Sequence, residues 1–265
     1  MNTRVNVPRE GFSLSALETG QPEGAEVVIL SNSLGAGLGS FDPQRKALED
    51  RFRVIGYDTR GHGLSDAPEG PYSFDELAGD ALAVLDHFGV ERASYVGLSL
   101  GGMTGLGVGL RAPDRITRMV VAAARADNPR PFVQSWDDRI AKIEEGGMAA
   151  IWPGTVERWL TDEYRSAHPD VVAELEADFV ATSVPGYKGC AEALKRLSYL
   201  SRLGDLKLPV LYISGEKDMG APPSAMEEMA AATPDADYVC IPGAAHFVNR
   251  NAETDFTQRL LGFLG

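Results

Sequence analysis

Cysteine is scarce in this chain: Cys190 and Cys240 are the only two among 265 residues. Two cysteines so far apart make neither a zinc ligand set nor a disulfide framework, so two buried free thiols in a reducing compartment are expected. Long hydrophobic runs are missing as well. No segment approaches the roughly 18 consecutive apolar residues that a membrane-spanning helix requires. The stretch "MNTRVNVPREGF" at 1–12 has no apolar run after its basic residue, so no secretory signal is expected and the expected location is cytoplasmic. Positive charge is also short. Against 38 Asp and Glu stand 25 Lys and Arg, a formal charge of -13, and the basic residues are scattered rather than gathered into a stripe. Such a surface repels polyanions, so neither nucleic acid nor a membrane is an expected partner.

Apolar residues make up 44% of the chain, enough at this length to bury a large core in one globular unit. Strand-like and helix-like segments alternate, which implies an α/β fold with a largely parallel sheet covered by helices on both faces. "FSLSAL" at 12–17 alternates like an edge strand, whereas "EVVILS" at 26–31 and "FRVIGYD" at 52–58 are the short apolar runs of buried strands. Ser73 with Glu76 makes a capping-box pattern that opens a helix to about residue 88, and "RASYVG" follows as the next strand. After "RITRMVVAAA" at 115–124 the alternation stops. It resumes with "PVLYISG" at 209–215, a helix near 223–232, "DYVCI" at 237–241 and an amphipathic helix from about 252. The expected organisation is a core of residues 1–124 and 206–265, with residues 125–205 inserted as a helical cap.

The segment "YVGLSLGGMTG" at 95–105 carries one serine among glycines at the end of a predicted strand. Gly97-Leu98-Ser99-Leu100-Gly101 has the G-x-S-x-G pattern of a nucleophile elbow, in which a tight strand-to-helix turn exposes the serine hydroxyl and needs small neighbours. A serine hydroxyl needs a base to take its proton and an acid to orient that base. Of four histidines, His87 falls within a helix, His168 in a polar stretch of the insert and His62 in the early loop "TRGHGLSD". His246 follows the last predicted strand in the small-residue loop "IPGAAHFVN" and is the candidate base. Asp218, in "SGEKDMGAP" after the penultimate strand, is the leading acid, with Glu216 and Asp127 as alternatives. For the oxyanion hole the N–H of Leu100, next to the nucleophile, pairs with that of Leu34 in "SNSLGAGLG", with Asn32 and Ser33 shaping the turn.

Two further patterns point elsewhere. Gly107, Gly109 and Ala112 fit G-x-G-x-x-A, but a dinucleotide fingerprint needs a strand directly before it, so close helix packing is expected instead. Asp58, Arg60, His62 and Asp66 cluster in "YDTRGHGLSD" without the spacing of a metal motif, and a structural loop network is expected.

Through "YDTRGHGLSD", "GLSLGG", the Asp218 turn and the His246 loop, in the order Ser, Asp, His, the chain resembles the α/β-hydrolase superfamily. Within it, "SNSLG", "GGM…VERWLT" at 146–161, "HPDVV" at 168–172 and "GYKGC" at 186–190 resemble 3-oxoadipate enol-lactonase. Such enzymes open a five-membered enol-lactone in bacterial aromatic catabolism. The resemblance implies an α/β-hydrolase fold and hydrolysis of an ester or lactone through Ser99, His246 and Asp218 by way of an acyl-enzyme, with no metal, nucleotide or organic cofactor. One departure is "IWPGT", which puts Pro153 and Gly154 where a continuous helix is expected.

An enol-lactone of this type carries a carboxylate, which a protein this acidic repels at long range. Trp136, Arg139 and Ile140 in "SWDDRIAK" share one face at helical spacing, so an aromatic wall and a guanidinium are candidate substrate contacts. The expected partner is thus a small ester or lactone, anionic in the favoured reading. The rivals are a carboxylesterase acting on neutral esters and a small-molecule receptor with very slow turnover.

Overall fold

The computed structural model describes residues 3–22 and 24–265; Met1 and Asn2, which open the stretch bearing on a secretory signal, lie outside the described residues. The first half of the chain contains β1 (Thr3–Arg9), β2 (Phe12–Gly20), β3 (Val27–Ser31), α1 (Asp42–Leu48), β4 (Arg53–Tyr57), α2 (Phe74–His87), β5 (Ala93–Leu98), α3 (Leu100–Arg111) and β6 (Ile116–Ala122). Helices only follow: α4 (Arg130–Gly146), α5 (Trp152–Trp159), α6 (Asp162–Ala167), α7 (Pro169–Ala181) and α8 (Val184–Lys195). The chain then returns to the sheet with β7 (Val210–Gly215), α9 (Pro223–Ala232), β8 (Ala236–Ile241), α10 (Val248–Asn251) and α11 (Glu253–Leu264). None of these helices is long and apolar enough to cross a membrane.

The eight strands form one sheet in the order β1-β2-β4-β3-β5-β6-β7-β8. From β4 onward every pairing is parallel, and β5 and β7 are buried at every position, which accounts for their unbroken apolar sequences. This is the α/β-hydrolase fold. Pattern alone misplaces one strand: β2 is internal, antiparallel to both β1 and β4, and β1 is the edge. Pro8 in β1 is compatible with that place, since a proline withholds one ladder donor and is tolerated at a sheet edge.

The helix signals have physical counterparts. The Ser73 side chain accepts from the Glu76 N–H at 3.3 Å while the Glu76 carboxylate accepts from the Ser73 N–H at 2.8 Å, closing the capping box at the start of α2. Pro153 does not interrupt a helix. A 3-10 turn over Met148–Ile151 comes first, and α5 begins at Trp152, so the proline occupies the first turn, where no intrahelical N–H bond is lost. Gly107 and Gly109 lie in α3, where an added Cβ would come within 2.6 Å of the Tyr199 hydroxyl and 2.8 Å of the Met119 side chain. These glycines let α3 press onto its neighbours. Cys190 is buried and Cys240 only half-buried, so the second thiol is less enclosed than expected; both are free.

The order of strands reverses between β3 and β5, and the crevice at the carboxyl ends of strands beside such a reversal is where open α/β sheets bind ligands. The turns that follow β3, β5, β7 and β8 carry Leu34, Ser99, Asp218 and His246 respectively.

Candidate active site

Ser99 stands between β5 and α3 with φ 55°, a left-handed conformation that is strained for a residue with a side chain. The strain is locked in by what surrounds it. A Cβ on Gly97 would lie 2.3 Å from the Gly101 carbonyl oxygen, and one on Gly101 would lie 2.1 Å from that of Ser31. Only glycine lets the three backbone segments meet. The Ser99 N–H donates to the Ala122 carbonyl at 2.8 Å, and the Met103 N–H donates back to the Ser99 carbonyl at 2.9 Å, tying the turn to β6 and α3.

Three of the predicted side chains meet in a hydrogen-bonded row. His246 Nε2 lies 2.9 Å from Ser99 Oγ, and Nδ1 lies 2.7 Å from Asp218 Oδ2. The other Asp218 oxygen accepts from the N–H groups of Gly220 at 2.8 Å and Ala221 at 3.0 Å, so this buried carboxylate has partners on both oxygens. The alternative acids are engaged elsewhere. Asp127 pairs with Arg125 at 2.8 Å, and Glu216 accepts from the Gly243 N–H at 2.7 Å.

The N–H groups of Leu34 and Leu100 donate to no acceptor among the described residues. For Leu100, the first residue of α3, an unspent N–H is what a helix start leaves over. The loop carrying Leu34 is anchored through Asn32, whose side chain donates to the Tyr57 carbonyl at 3.0 Å and accepts from the Ser40 hydroxyl at 3.1 Å. The "YDTRGHGLSD" side chains serve separate structural bonds: Asp58 accepts from the Leu38 N–H, Asp66 from Ser13, and Arg60 forms a two-pronged pair with Asp80. Among the described residues no three His, Cys, Asp or Glu side chains are grouped to hold a metal.

Above Ser99 lies a cavity of about 520 Å³, lined by Leu34, Ser99 and His246 from the sheet side and by Trp136, Arg139 and Arg158 from the helical insert. The Arg139 guanidinium lies 5.3 Å from the centre of the Trp136 ring and donates to the Tyr187 hydroxyl at 2.7 Å and to the Thr155 hydroxyl at 2.8 Å. Burial pushes the Tyr187 phenol above its ordinary pKa even beside Arg139, so both partners of the guanidinium are neutral. Lys142 and Arg158 line the same cavity, and among the described residues no acid lies within ion-pair distance of Arg139, Lys142 or Arg158. Sequence reasoning missed Lys142 and Arg158. Lys142 follows Arg139 at helical spacing and could have been found that way; Arg158 sits on another helix, with no local signal pointing to the cavity.

A family profile for the alpha/beta hydrolase fold matches residues 26–250. A 3-oxoadipate enol-lactonase of Acinetobacter baylyi is 36% identical over 191 residues, 72% of this chain and 71% of its own. A putative carbamate hydrolase, RutD, of Caulobacter segnis is 35% identical over 248 residues, 91% of this chain and 92% of its own. Among solved structures, the enol-lactonase from Burkholderia xenovorans LB400 superposes with a TM-score of 0.94 at 36% identity, covering 98% of this chain and 99% of that one. The chain belongs to the α/β-hydrolase family, and its relatives there include enol-lactonases.

Proposed function

We propose that this protein is a serine hydrolase that opens an anionic lactone or ester, with a 3-oxoadipate enol-lactone as the favoured substrate type and residues 125–205 acting as its cap. Ser99 Oγ attacks the carbonyl carbon as its proton passes to His246 Nε2, and Asp218 holds the ring in the required tautomer and stabilises the imidazolium. The N–H groups of Leu34 and Leu100 receive the negative charge that develops on the carbonyl oxygen. The proton then goes from His246 to the departing oxygen, which in a lactone stays attached to the acyl chain. Water attacks the Ser99 ester, His246 takes its proton and returns one to Ser99, and the acid leaves with one water consumed in all.

The observation that carries the reading is the Ser99–His246–Asp218 row at the floor of a cavity whose guanidinium, Arg139, has only neutral partners. An unpaired cation flanked by aromatic rings suits a carboxylate on a flat ring. The Met103, Phe132 and Leu194 side chains in the same lining favour a second reading, hydrolysis of neutral esters. The two are separated by turnover of a panel of lactones, esters and carbamates in which each carboxylate is matched by its methyl ester. Ser99→Ala is expected to lower kcat by about 10⁴- to 10⁶-fold and Asp218→Asn by about 10⁴-fold. Asp127→Asn and Glu216→Gln should stay within about threefold, since neither residue orients the base. A ligand-induced rise in Tm without turnover would instead indicate a receptor.

A further inference from the structure

The His246 ring is bonded on both sides, but a ring is only as fixed as the backbone that carries it. That backbone leans on the insert. The His246 N–H donates to the Arg158 carbonyl at 3.3 Å and the Phe247 N–H to the Trp159 carbonyl at 2.9 Å, both at the carboxyl end of α5. The Trp159 ring stacks on Phe247 with centres 4.0 Å apart and planes 20° from parallel.

One side chain binds these pieces together. Asn251 Nδ2 donates to the Trp159 carbonyl at 2.8 Å and to the Phe247 carbonyl at 3.0 Å, while Asn251 Oδ1 accepts from the Thr161 N–H at 3.0 Å. Both amide hydrogens and the amide oxygen are thereby used, on one residue of the His246 loop and two at the α5–α6 junction. Trp159 and Thr161 lie about 90 positions away in sequence, so the bonds bridge the insert and the core rather than completing a local turn.

We infer that Asn251 is a positioning residue for His246, holding the loop of the base against the end of α5 so that Nε2 reaches Ser99 only while the insert is seated. The role rests on the serine-hydrolase reading. Displacing a catalytic group by about 1 Å costs about 10²-fold in rate. Removing the Asn251 side chain takes away the clamp between the Phe247 and Trp159 carbonyls, leaving Phe247, the residue next to the base, held to α5 by its own N–H and by the stacking of its ring.

Asn251→Ala removes all three bonds. Asn251→Asp keeps nearly the same shape and the acceptor for Thr161, but loses both donors and sets a carboxylate against two carbonyls. Each variant is expected to fold, to lower kcat by about 10²-fold and to leave KM within about threefold. The low-field proton resonance of the His246 Nδ1–H, held by Asp218, should broaden or move in both. Asn251→Ser, which restores a single hydroxyl donor, should recover part of the lost kcat.

Wild-type kcat with an unmoved resonance in a folded Asn251→Ala would overturn the inference, as would a proportionate rise in KM at constant kcat or loss of the fold in both variants. Labelling of wild-type Ser99 by a fluorophosphonate tests the hydrolase reading separately. If the serine does not react, that reading fails, while the resonance still reports whether Asn251 positions the imidazole.

Discussion

Ser99 and Arg139 face the same cavity but are held there in different ways. Ser99 is placed by backbone: a positive φ, two glycines with no room for a methyl group, and a following helix, α3, buried from Leu100 to Gly109. Arg139 is placed by a side chain. It extends from α4, a helix of 17 residues in which only Ile143 is fully buried, and two hydroxyl groups steady its guanidinium. The sheet side therefore leaves little freedom for Ser99, while the insert can change what it presents without disturbing the core. Such a division lets one fold keep its reaction and exchange its substrates.

One substitution made on both sides tests this difference most severely. Gly101→Ala forces a Cβ to within 2.1 Å of the Ser31 carbonyl oxygen, backbone against backbone. It should destabilise the protein by about 3 kcal/mol, the upper end for overpacking, lower Tm by roughly 6–12 °C and remove most activity. Gly154→Ala, in α5, meets nothing within 4 Å. It should leave activity unchanged and stabilise by about 0.5–1 kcal/mol, because alanine is the better helix former. Thermal unfolding of the two variants decides the matter, and equal losses would remove the distinction between a rigid floor and a tolerant insert.

The second effect is confined to recognition. Arg139→Ala should raise KM for an anionic lactone by about 10- to 100-fold and change that for its methyl ester by less than about threefold, since it removes a charge contact and leaves the triad in place. Equal changes on both substrates, or none on either, would reject Arg139 as the anion contact and favour the neutral-ester reading.

The same division governs what could be read from the sequence. The elbow was legible because its cause is local: Gly97, Ser99 and Gly101 must be neighbours for the turn to form. His246 and Asp218 were legible because each follows a strand whose apolar run is plain, and the sheet carries them to one edge. The β1 edge strand was missed because its alternation, in "TRVNVPR", is weak and broken by Pro8. The start of α5 at Trp152 was obscured because a proline in a first turn looks like one that breaks a helix. Lys142 did leave a mark, its helical spacing from Arg139, whereas Arg158 and Asn251 left none that could be used, since what matters about them is which way a helix of the insert faces or a contact made across about 90 residues. A Leu34 N–H left open has no side-chain signature, because every residue but proline has an N–H; its place in the loop after β3 is what pointed to it.

The smallest effect lies along the seam between the two regions. Asp178 on α7 faces the loop after β3: the space beside Gly37 is bounded by Asp178 Oδ2 and Asp58 Oδ1, and that beside Gly39 by Glu174 Oε1. Burial first, and then the like charges of Glu174, Asp58 and Asp42, hold the Asp178 carboxyl above its ordinary value. A group whose pKa is raised on folding binds its proton more tightly in the folded state, so its contribution to stability declines as pH rises through that range. Asp178→Asn keeps the shape and removes the charge. It should raise Tm by about 2 °C near neutral pH, corresponding to roughly 0.5–1 kcal/mol in a domain of this size. The gain should vanish in acid, below the ordinary carboxylate pKa, where Asp178 is protonated in the folded and unfolded states alike. Tm measured for both proteins across that range is the check. A gain independent of pH would mean that the introduced amide improves packing or hydrogen bonding rather than relieving repulsion between the insert and the core.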